Sequence, residues 1–296
     1  MDDGRSQTRH LMPKLKALCQ TVQAGVAQTF LCSVVDHHSS SYGDKGWGCG
    51  YRNLQMLMSS LAHYRYVNAN CVHMWCCYRQ CHSLLPFFCH FSAYAERLGI
   101  TKGAGVPSIS RLQGLIEEAW AKGYDVQGCE QLGNKLVNTR KWIGATEIVA
   151  FLTSHNIKTE LLDFHTPTAK DGTHPRLFQW VLEYFRERAK AKAFTPPLYL
   201  QHQGHSRTIV GIEVLTSGGP NNLRLLIFDP SHSRSNMTSL LKVGPTSAEA
   251  AQVMRMLRKG PQAVKCKQYQ IVAATGVFVS QQEAAYHKVI QGKRIP

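Results

Sequence analysis

The sequence lacks any apolar run that approaches the length of a membrane span, and its first residues, Met-Asp-Asp-Gly-Arg-Ser, lack a secretory h-region. Its ten cysteines lack, over most of the chain, the spacing of a disulfide framework. We therefore expect no membrane partner, and we expect reduced thiols in a cytosolic or nuclear protein.

Acidic residues are scarce, since 19 Asp and Glu stand against 34 Lys and Arg, and the formal net charge is +15. The basic residues form no continuous block, and the chain shows no internal repeat. This charge predicts attraction to polyanions, nucleic acid included, although a solvated basic surface is the simpler interpretation.

A chain of 296 residues that is 44% hydrophobic is typical of a globular protein. We divide it into residues 1–32, a polar and disordered tail followed by an amphipathic helix from Pro13, and residues 33–296, one larger domain. In that domain helical patterns come first and alternating strand patterns fill the last third, which indicates the α+β class with an antiparallel sheet.

A segment at about 72–105 interrupts the helical part of the sequence. It is rich in cysteine, histidine and aromatic residues, but its cysteines form no Cys-x-x-Cys pair, whereas zinc sites usually contain such pairs. We therefore expect an atypical insertion that holds no metal, and we expect no cofactor elsewhere.

The stretch at 46–53 reads Gly-Trp-Gly-Cys-Gly-Tyr-Arg-Asn and leads into apolar residues at helical spacing. Cys49 is therefore predicted at a helix N-terminus, where unpaired N–H groups and the helix dipole favour a thiolate, the nucleophilic form. The flanking glycines allow a sharp turn and the close approach of a substrate chain. A buried structural cysteine that caps a core helix would explain the same local pattern.

A cysteine protease also needs an imidazole to carry the proton and a third group to orient that imidazole. His205 begins one predicted strand, and Asp229 ends the next, with a turn signal at Gly218-Gly219 between them. The two ends of such a hairpin meet, so we expect His205 and Asp229 to be cross-strand neighbours. The sequence thus predicts a catalytic set of Cys49, His205 and Asp229.

Four motifs resemble a known family: Gly-Trp-Gly-Cys-Gly-Tyr-Arg-Asn-Leu-Gln at 46–55, Trp-Ile-Gly-x-x-Glu at 142–147, Gln-Gly-His-Ser-Arg-Thr at 203–208 and Asp-Pro at 229–230. They are similar to motifs of the papain-like peptidases specific for ubiquitin-fold modifier, and the likeness covers about residues 31–70 and 107–275. The resemblance implies a papain-like fold, with the nucleophile on a helix that packs against an antiparallel sheet.

Members specific for the modifier carry the catalytic histidine in an Asp-Pro-His motif, whereas this sequence has Ser231 at that position. A zinc-finger-containing branch of the family acts on ubiquitin and uses the histidine of Gly-His-Ser, which is His205 here. The resemblance therefore implies a thiol-dependent deubiquitinase that prefers lysine-sixty-three-linked polyubiquitin. It also implies action in the DNA-damage response, in nucleus and cytoplasm, beside single-strand DNA-binding repair proteins. The alternatives are a protease for the modifier and a catalytically silent domain that binds ubiquitin or nucleic acid.

The C-terminal tail of ubiquitin is basic and ends in glycines, so a basic enzyme needs acidic groups along its substrate channel. Asp125 and Glu147 are our candidates for contacts with the tail arginines, although each is also an ordinary carboxylate by position. Trp47 is our candidate for a wall of the glycine channel, with a core tryptophan as the alternative. The backbone N–H of Cys49 is expected to help hold the oxyanion.

Overall fold

The computed structural model of the chain describes residues 2–21, 25–71, 105–217, 222–244 and 248–295. Its helices are α1 (Leu11–Thr21), α2 (Cys49–Cys71), α3 (Ile109–Ala121), α4 (Val126–Gln131), α5 (Ala145–Ser154), α6 (Pro175–Lys190), α7 (Arg234–Lys242), α8 (Ala248–Leu257) and α9 (Gln281–Ala285). Its strands are β1 (Gln7–Thr8), β2 (Val26–Leu31), β3 (His37–His38), β4 (Ile157–Phe164), β5 (Leu198–His202), β6 (His205–Leu215), β7 (Leu223–Phe228), β8 (Arg258–Lys259), β9 (Tyr269–Val277) and β10 (Lys293–Arg294). Within these ranges, no helix is long and apolar enough to cross a lipid bilayer.

The larger sheet orders its strands β10-β4-β9-β5-β6-β7-β8, and β2 pairs with β6 beside this path. Its pairings are antiparallel, except that β10 runs parallel to β4. β9, the last long strand in the chain, lies between β4 and β5. A separate short pairing joins β1 to β3. The centre of the sheet is therefore completed by residues close to the end of the chain.

Apolar side chains on the two faces of the sheet pack into two large clusters. Because successive side chains of a strand point to opposite faces, Leu161 belongs to one cluster and Leu162 to the other. Helices α2, α3 and α5 cover one face, and helices α1, α6, α7 and α8 cover the other. The sheet therefore lies between two helical layers, and the α+β class is confirmed.

Local signals in the sequence set the starts of two of these helices. The Ser108 hydroxyl caps α3 by accepting a hydrogen bond from the Arg111 N–H. Pro175 is the first residue of α6, where its missing N–H costs nothing. The starts of both helices are therefore set by capping chemistry that is local in the sequence.

The N-terminal prediction is wrong in two respects. The helix predicted from Pro13 to residue 32 ends at Thr21, and Val26–Leu31 is a strand that pairs with β6. Gly25 precedes this strand with a φ of +71°, a left-handed conformation that interrupts a helix. The first ten residues, predicted to be disordered, instead include β1 and pack against α2 through Asp2.

Two further predictions fall outside the described residues. They are the Cys/His-rich insertion at about 72–105, of which the structure describes only Gly105, and the turn at Gly218-Gly219. The division of the chain at residue 32 stays a prediction, although α1 packs in one of the two clusters formed with the sheet.

Candidate active site

Cys49 is the first residue of helix α2, and the loop before it is held by hydrogen bonds to Asp44. The N–H groups of Trp47 and Gly48 donate to the Asp44 carbonyl over 3.3 and 2.8 Å. The Asp44 carboxylate accepts hydrogen bonds from Nε and Nη2 of Arg52, one turn along the helix, at 3.0 and 2.9 Å. These contacts fix the turn that carries the thiol.

The same guanidinium ties the N-terminal residues to the nucleophile helix. Nη1 of Arg52 donates to Asp2 at 3.0 Å and to Ser6 at 2.9 Å. The side chains of Arg52, Asp2 and Asp44 are 7%, 10% and 4% exposed, so a buried cation lies between two carboxylates that are largely shielded from water. Burial opposes the ionisation of Asp44, but Arg52 and Ser41 hold the pKa of its carboxyl below the ordinary value.

His205 begins β6 and Asp229 directly follows β7, and the antiparallel pairing of these strands brings the two residues to the same edge. Nε2 of His205 lies 2.9 and 3.0 Å from the two carboxylate oxygens of Asp229. Hydrogen bonds with Asp229 and Cys49 raise the pKa of His205 to about 9, although burial opposes this. The structure thus brings together the two residues that the hairpin pattern paired.

The thiol of Cys49 interacts with His205 and with Ser206, the residue after it. Burial alone would raise the pKa of Cys49, but these two neighbours outweigh burial and lower it below the ordinary value. Cys19 shows the contrast, because burial raises the pKa of its thiol to about 12. The surroundings of Cys49 therefore favour a thiolate beside an imidazolium.

Three donors hold the carboxylate of Asp229. Besides His205, Nε of Arg207 donates to Oδ2 at 2.7 Å, and the N–H of Ser231 donates to Oδ1 at 2.9 Å. Burial opposes ionisation, but His205 and Ser231 hold the pKa of Asp229 far below its usual range. Ser231 thus contributes a backbone donor, while the neighbouring His232 ring stacks on His37 with 6.4 Å between ring centroids.

Asn53 joins the nucleophile helix to strand β6. Its Nδ2 donates to the Cys49 carbonyl at 2.8 Å and to the Ser206 hydroxyl at 3.0 Å. Its Oδ1 accepts from the Thr208 hydroxyl at 2.7 Å, and the side chain is fully buried. Asn53 lies in the motif at 46–55, and Ser206 and Arg207 lie in the motif at 203–208. Their place in these motifs is the one signal in the sequence that could have identified them.

Two tryptophans border the site. Trp47 is half-buried, donates Nε1 to the Gly43 carbonyl at 3.2 Å and meets the Tyr51 ring edge-on at 5.8 Å. Trp142 is 48% exposed and covers Gly204, where an added Cβ would lie 3.5 Å from the indole. Trp142, which belongs to the motif at 142–147 but had no predicted role, therefore lies next to the residue that precedes His205.

Asp125 and Glu147 come together although they belong to different elements. Asp125 caps α4 through the Gly128 N–H at 3.2 Å, and Glu147 in α5 accepts from the Gly144 N–H at 2.6 Å. Thr146 interacts with both carboxylates, and burial raises the pKa of each. The contacts of Asp125, Glu147 and Trp47 with a substrate stay predictions.

A thiol at a helix N-terminus, with an imidazole and a carboxylate on the adjoining antiparallel sheet, defines the class of papain-like cysteine peptidases. Comparison with known proteins agrees with this class. The family model described as peptidase family C78 matches residues 25–75 and 73–272. The chain belongs to peptidase family C78, as the motif resemblance implied.

Several relatives match nearly the whole chain. The zinc finger-containing ubiquitin peptidase 1 of Rattus norvegicus is 41% identical over 296 residues, and the protein of that name from Homo sapiens is 39% identical over 295. Each alignment covers 98% of this chain and 45% of the relative. The ubiquitin carboxyl-terminal hydrolase mug105 of Schizosaccharomyces pombe is 36% identical over 168 residues, which are 57% of this chain and 55% of the relative. The chain thus spans about half the length of these curated relatives.

The crystal structure of UfSP from C. elegans is similar in fold. It aligns with a TM-score of 0.51 and 16% identity, over 93% of this chain and 38% of that chain. This likeness confirms the papain-like α+β architecture.

Proposed function

We propose that this chain is a thiol-dependent deubiquitinase, which hydrolyses isopeptide bonds after the C-terminal glycine of ubiquitin. The observation that carries the proposal is the contact of His205 with both Asp229 oxygens beside Cys49, while position 231 is a serine. Relatives named as ubiquitin peptidases support the choice of ubiquitin over the modifier.

The geometry supports a reaction in two stages. Because Nε2 of His205 faces Asp229, Nδ1 is the nitrogen left for the thiol. The Cys49 thiolate attacks the glycine carbonyl, and its own backbone N–H helps to hold the oxyanion. His205 then gives its proton to the lysine amine as the C–N bond breaks and a thioester forms. Water, deprotonated by His205, hydrolyses the thioester and releases the glycine carboxylate.

The acidic pair supports recognition of a basic tail. Asp125 and Glu147 lie close enough for the Asp125 charge to raise the pKa of Glu147 further, beyond the effect of burial. An arginine bound between them would form charge-assisted hydrogen bonds and remove this repulsion. We assign the tail arginines to this pair, and we assign the terminal glycines to the channel beside Trp47.

We also propose the finer assignments that the motif resemblance implies. The preferred substrate is lysine-sixty-three-linked polyubiquitin, and the setting is the DNA-damage response in the nucleus and cytoplasm. Single-strand DNA-binding repair proteins are the proposed partners there. Cleavage of a panel of ubiquitin dimers, each with one defined linkage, tests the first of these assignments.

Ubiquitin with a C-terminal electrophile tests the nucleophile. We expect the wild-type chain to gain the mass of one ubiquitin and Cys49→Ala to gain none. Cys129→Ala removes another half-buried free thiol and is the matched control, which should react like the wild type. Labelling of Cys49→Ala at the wild-type rate would contradict the assignment.

The substrate class is tested by offering two precursors side by side, ubiquitin and ubiquitin-fold modifier, each fused to the same reporter. We expect faster release from ubiquitin. Faster release from the modifier would make the chain a protease for that protein. Binding of ubiquitin without cleavage of either precursor would indicate a silent binding domain.

A further inference from the structure

Two further hydrogen bonds connect Asp229 to Arg207, and Arg207 to His202. Nε of Arg207 donates to Oδ2 of Asp229 at 2.7 Å, and its Nη1 lies 3.3 Å from Nε2 of His202. His202 is the last residue of β5 and Arg207 is the third of β6. The register pairs Arg207 with Leu200, so Arg207 lies diagonally across from His202 on the same side of this hairpin. Nε and Nη1 of the guanidinium are therefore both engaged.

His202 is the acceptor in this pair. Burial and the neighbouring Arg207 lower the pKa of His202, so its imidazole is neutral. A neutral imidazole donates at one nitrogen and accepts at the other. Nε2 accepts from Arg207, and Nδ1 faces the Gln203 carbonyl at 3.1 Å and Sγ of Cys266 at 3.4 Å. This arrangement fixes the direction in which Arg207 reaches Asp229.

We infer that Arg207, oriented by His202, is a positioning residue that acts through Asp229 on His205. The inference rests on the proposed function. The side chain of Arg207 is 22% exposed and that of Asp229 is 6% exposed, so little water competes for the bond between them. With donors from three directions, the carboxylate keeps the orientation that presents both oxygens to His205.

The charge of Arg207 has a second effect. A cation bound to Asp229 offsets part of the negative charge with which this carboxylate stabilises the imidazolium of His205. Arg207 therefore keeps His205 from holding its proton too tightly. Removing Arg207 should lower the rate, because the carboxylate turns more freely, and should also raise the pH at which His205 loses its proton.

The test compares Arg207→Gln with Arg207→Lys. For Arg207→Gln we expect kcat/KM at neutral pH to fall roughly ten- to a hundredfold, with the alkaline limb of the pH profile moved to higher pH. Lysine restores the charge but cannot reach both Asp229 and His202 with a planar group. Arg207→Lys should therefore return the limb toward its wild-type position and recover only part of the rate.

Arg224→Gln is the matched control. Nε of Arg224 donates to Glu213 at 2.7 Å across the same two strands, β6 and β7, remote from Asp229 in their register. It should lower thermal stability and leave the alkaline limb in place. His202→Gln keeps an acceptor for Arg207 and should stay within a few-fold of wild type, whereas His202→Ala should resemble Arg207→Gln in direction.

NMR titration of the His205 imidazole separates this inference from the proposed function, because it needs no substrate. A higher His205 pKa in Arg207→Gln supports the inference even if the chain cleaves no ubiquitin. A loss of rate with an unmoved His205 pKa, as expected for a purely structural arginine, overturns it. An Arg207→Gln chain that matches the wild type in both rate and pKa overturns it as well.

Discussion

His205 has a carboxylate on one side and a thiol on the other, and both raise its pKa, to about 9. The folded chain therefore holds this proton more tightly than the unfolded chain, whose histidines have a pKa of ~6.5. The resulting stabilisation is fully present below the unfolded pKa and is lost as the pH rises through the folded one. The proposed activity should share this upper boundary, since in the proposed mechanism His205 delivers a proton to the leaving amine.

Asp229→Asn tests that boundary. The substitution removes the charge that raises the pKa of His205, so the upper limit of activity should move down toward the ordinary histidine value. At neutral pH we expect kcat/KM to drop by roughly ten- to a hundredfold. A pH profile of ubiquitin cleavage measures both effects, with Asp171→Asn, an exposed carboxylate remote from the site, as the control. An unmoved upper limit would disagree with the assigned role of Asp229.

The identity of the base can be tested by replacing each of two histidines, His205 and His232. His205→Gln should abolish turnover, whereas His232→Gln should keep activity within a few-fold, because His232 stacks on His37 and not on the Asp229 carboxylate. Single-turnover assays with the same ubiquitin substrate measure both variants. If only His232→Gln lost activity, the base would have to be assigned to His232 instead of His205.

At the scale of the element, helix α2 approaches the segment before α5 closely. A Cβ on Gly50 would lie 2.6 Å from Cγ1 and 2.6 Å from the carbonyl oxygen of Ile143. The hydroxyl of Tyr51 donates to the Lys141 carbonyl at 3.3 Å, which ties the same two segments together. Gly50 is therefore needed for packing, whereas the sequence predicted that this glycine, like Gly48, allows a sharp turn and the close approach of a substrate chain.

Gly50→Ala should push these segments apart. We expect a loss of ~1–3 kcal/mol in the free energy of unfolding, as is typical of an overpacked contact, and slower labelling by the ubiquitin probe. Gly43→Ala is the control, since a Cβ there meets no atom within 4 Å. Denaturant unfolding and probe labelling measure both variants. Equal stability of the two variants would show that α2 can move away from Ile143 at no cost.

The sequence could predict those elements whose burial is regular. β6 and β7 lie inside the sheet and are mostly buried along their length, so their apolar runs stood out. β2 was missed because its residues are only partly buried or exposed, and its place is set by its partner β6. The sequence could bring Cys49, His205 and Asp229 together as candidates because each lies at the end of an element. The hydrogen bonds of Asn53 to Ser206 and Thr208 could not be predicted. They join residues that are 153 and 155 positions apart in the sequence, and they depend on how α2 packs against β6.

At the scale of the whole molecule, Arg52 links the N-terminal residues, the thiol turn and the nucleophile helix. It lies between Asp2 and Asp44, and each of the three side chains is at most 10% exposed. Removing the cation would leave two carboxylates without their shared partner, which is far more costly than losing an exposed ion pair. The N-terminal residues are therefore part of the support of the site.

Arg52→Met should lower the stability of the folded chain by ~3–5 kcal/mol, or roughly 10 °C in Tm. Thermal unfolding measures this change, and limited proteolysis should cut the N-terminal residues sooner than in the wild type. Arg5→Ala is the control, because the Arg5–Asp3 pair is 88% and 55% exposed, and it should leave Tm unchanged. A Tm for Arg52→Met equal to that of Arg5→Ala would contradict the role given to Arg52.

The position of β9 in the middle of the sheet has a consequence for the newly made protein. The ribosome releases Cys49 long before Tyr269–Val277, and the sheet that carries His205 and Asp229 cannot close until that strand has emerged. At cellular rates of synthesis the delay is roughly 10–50 s. Throughout that interval the sheet that supports His205 is incomplete, so we expect the nascent chain to be inactive on ubiquitin. The late strand thus delays the expected activity until after β9 has been synthesised.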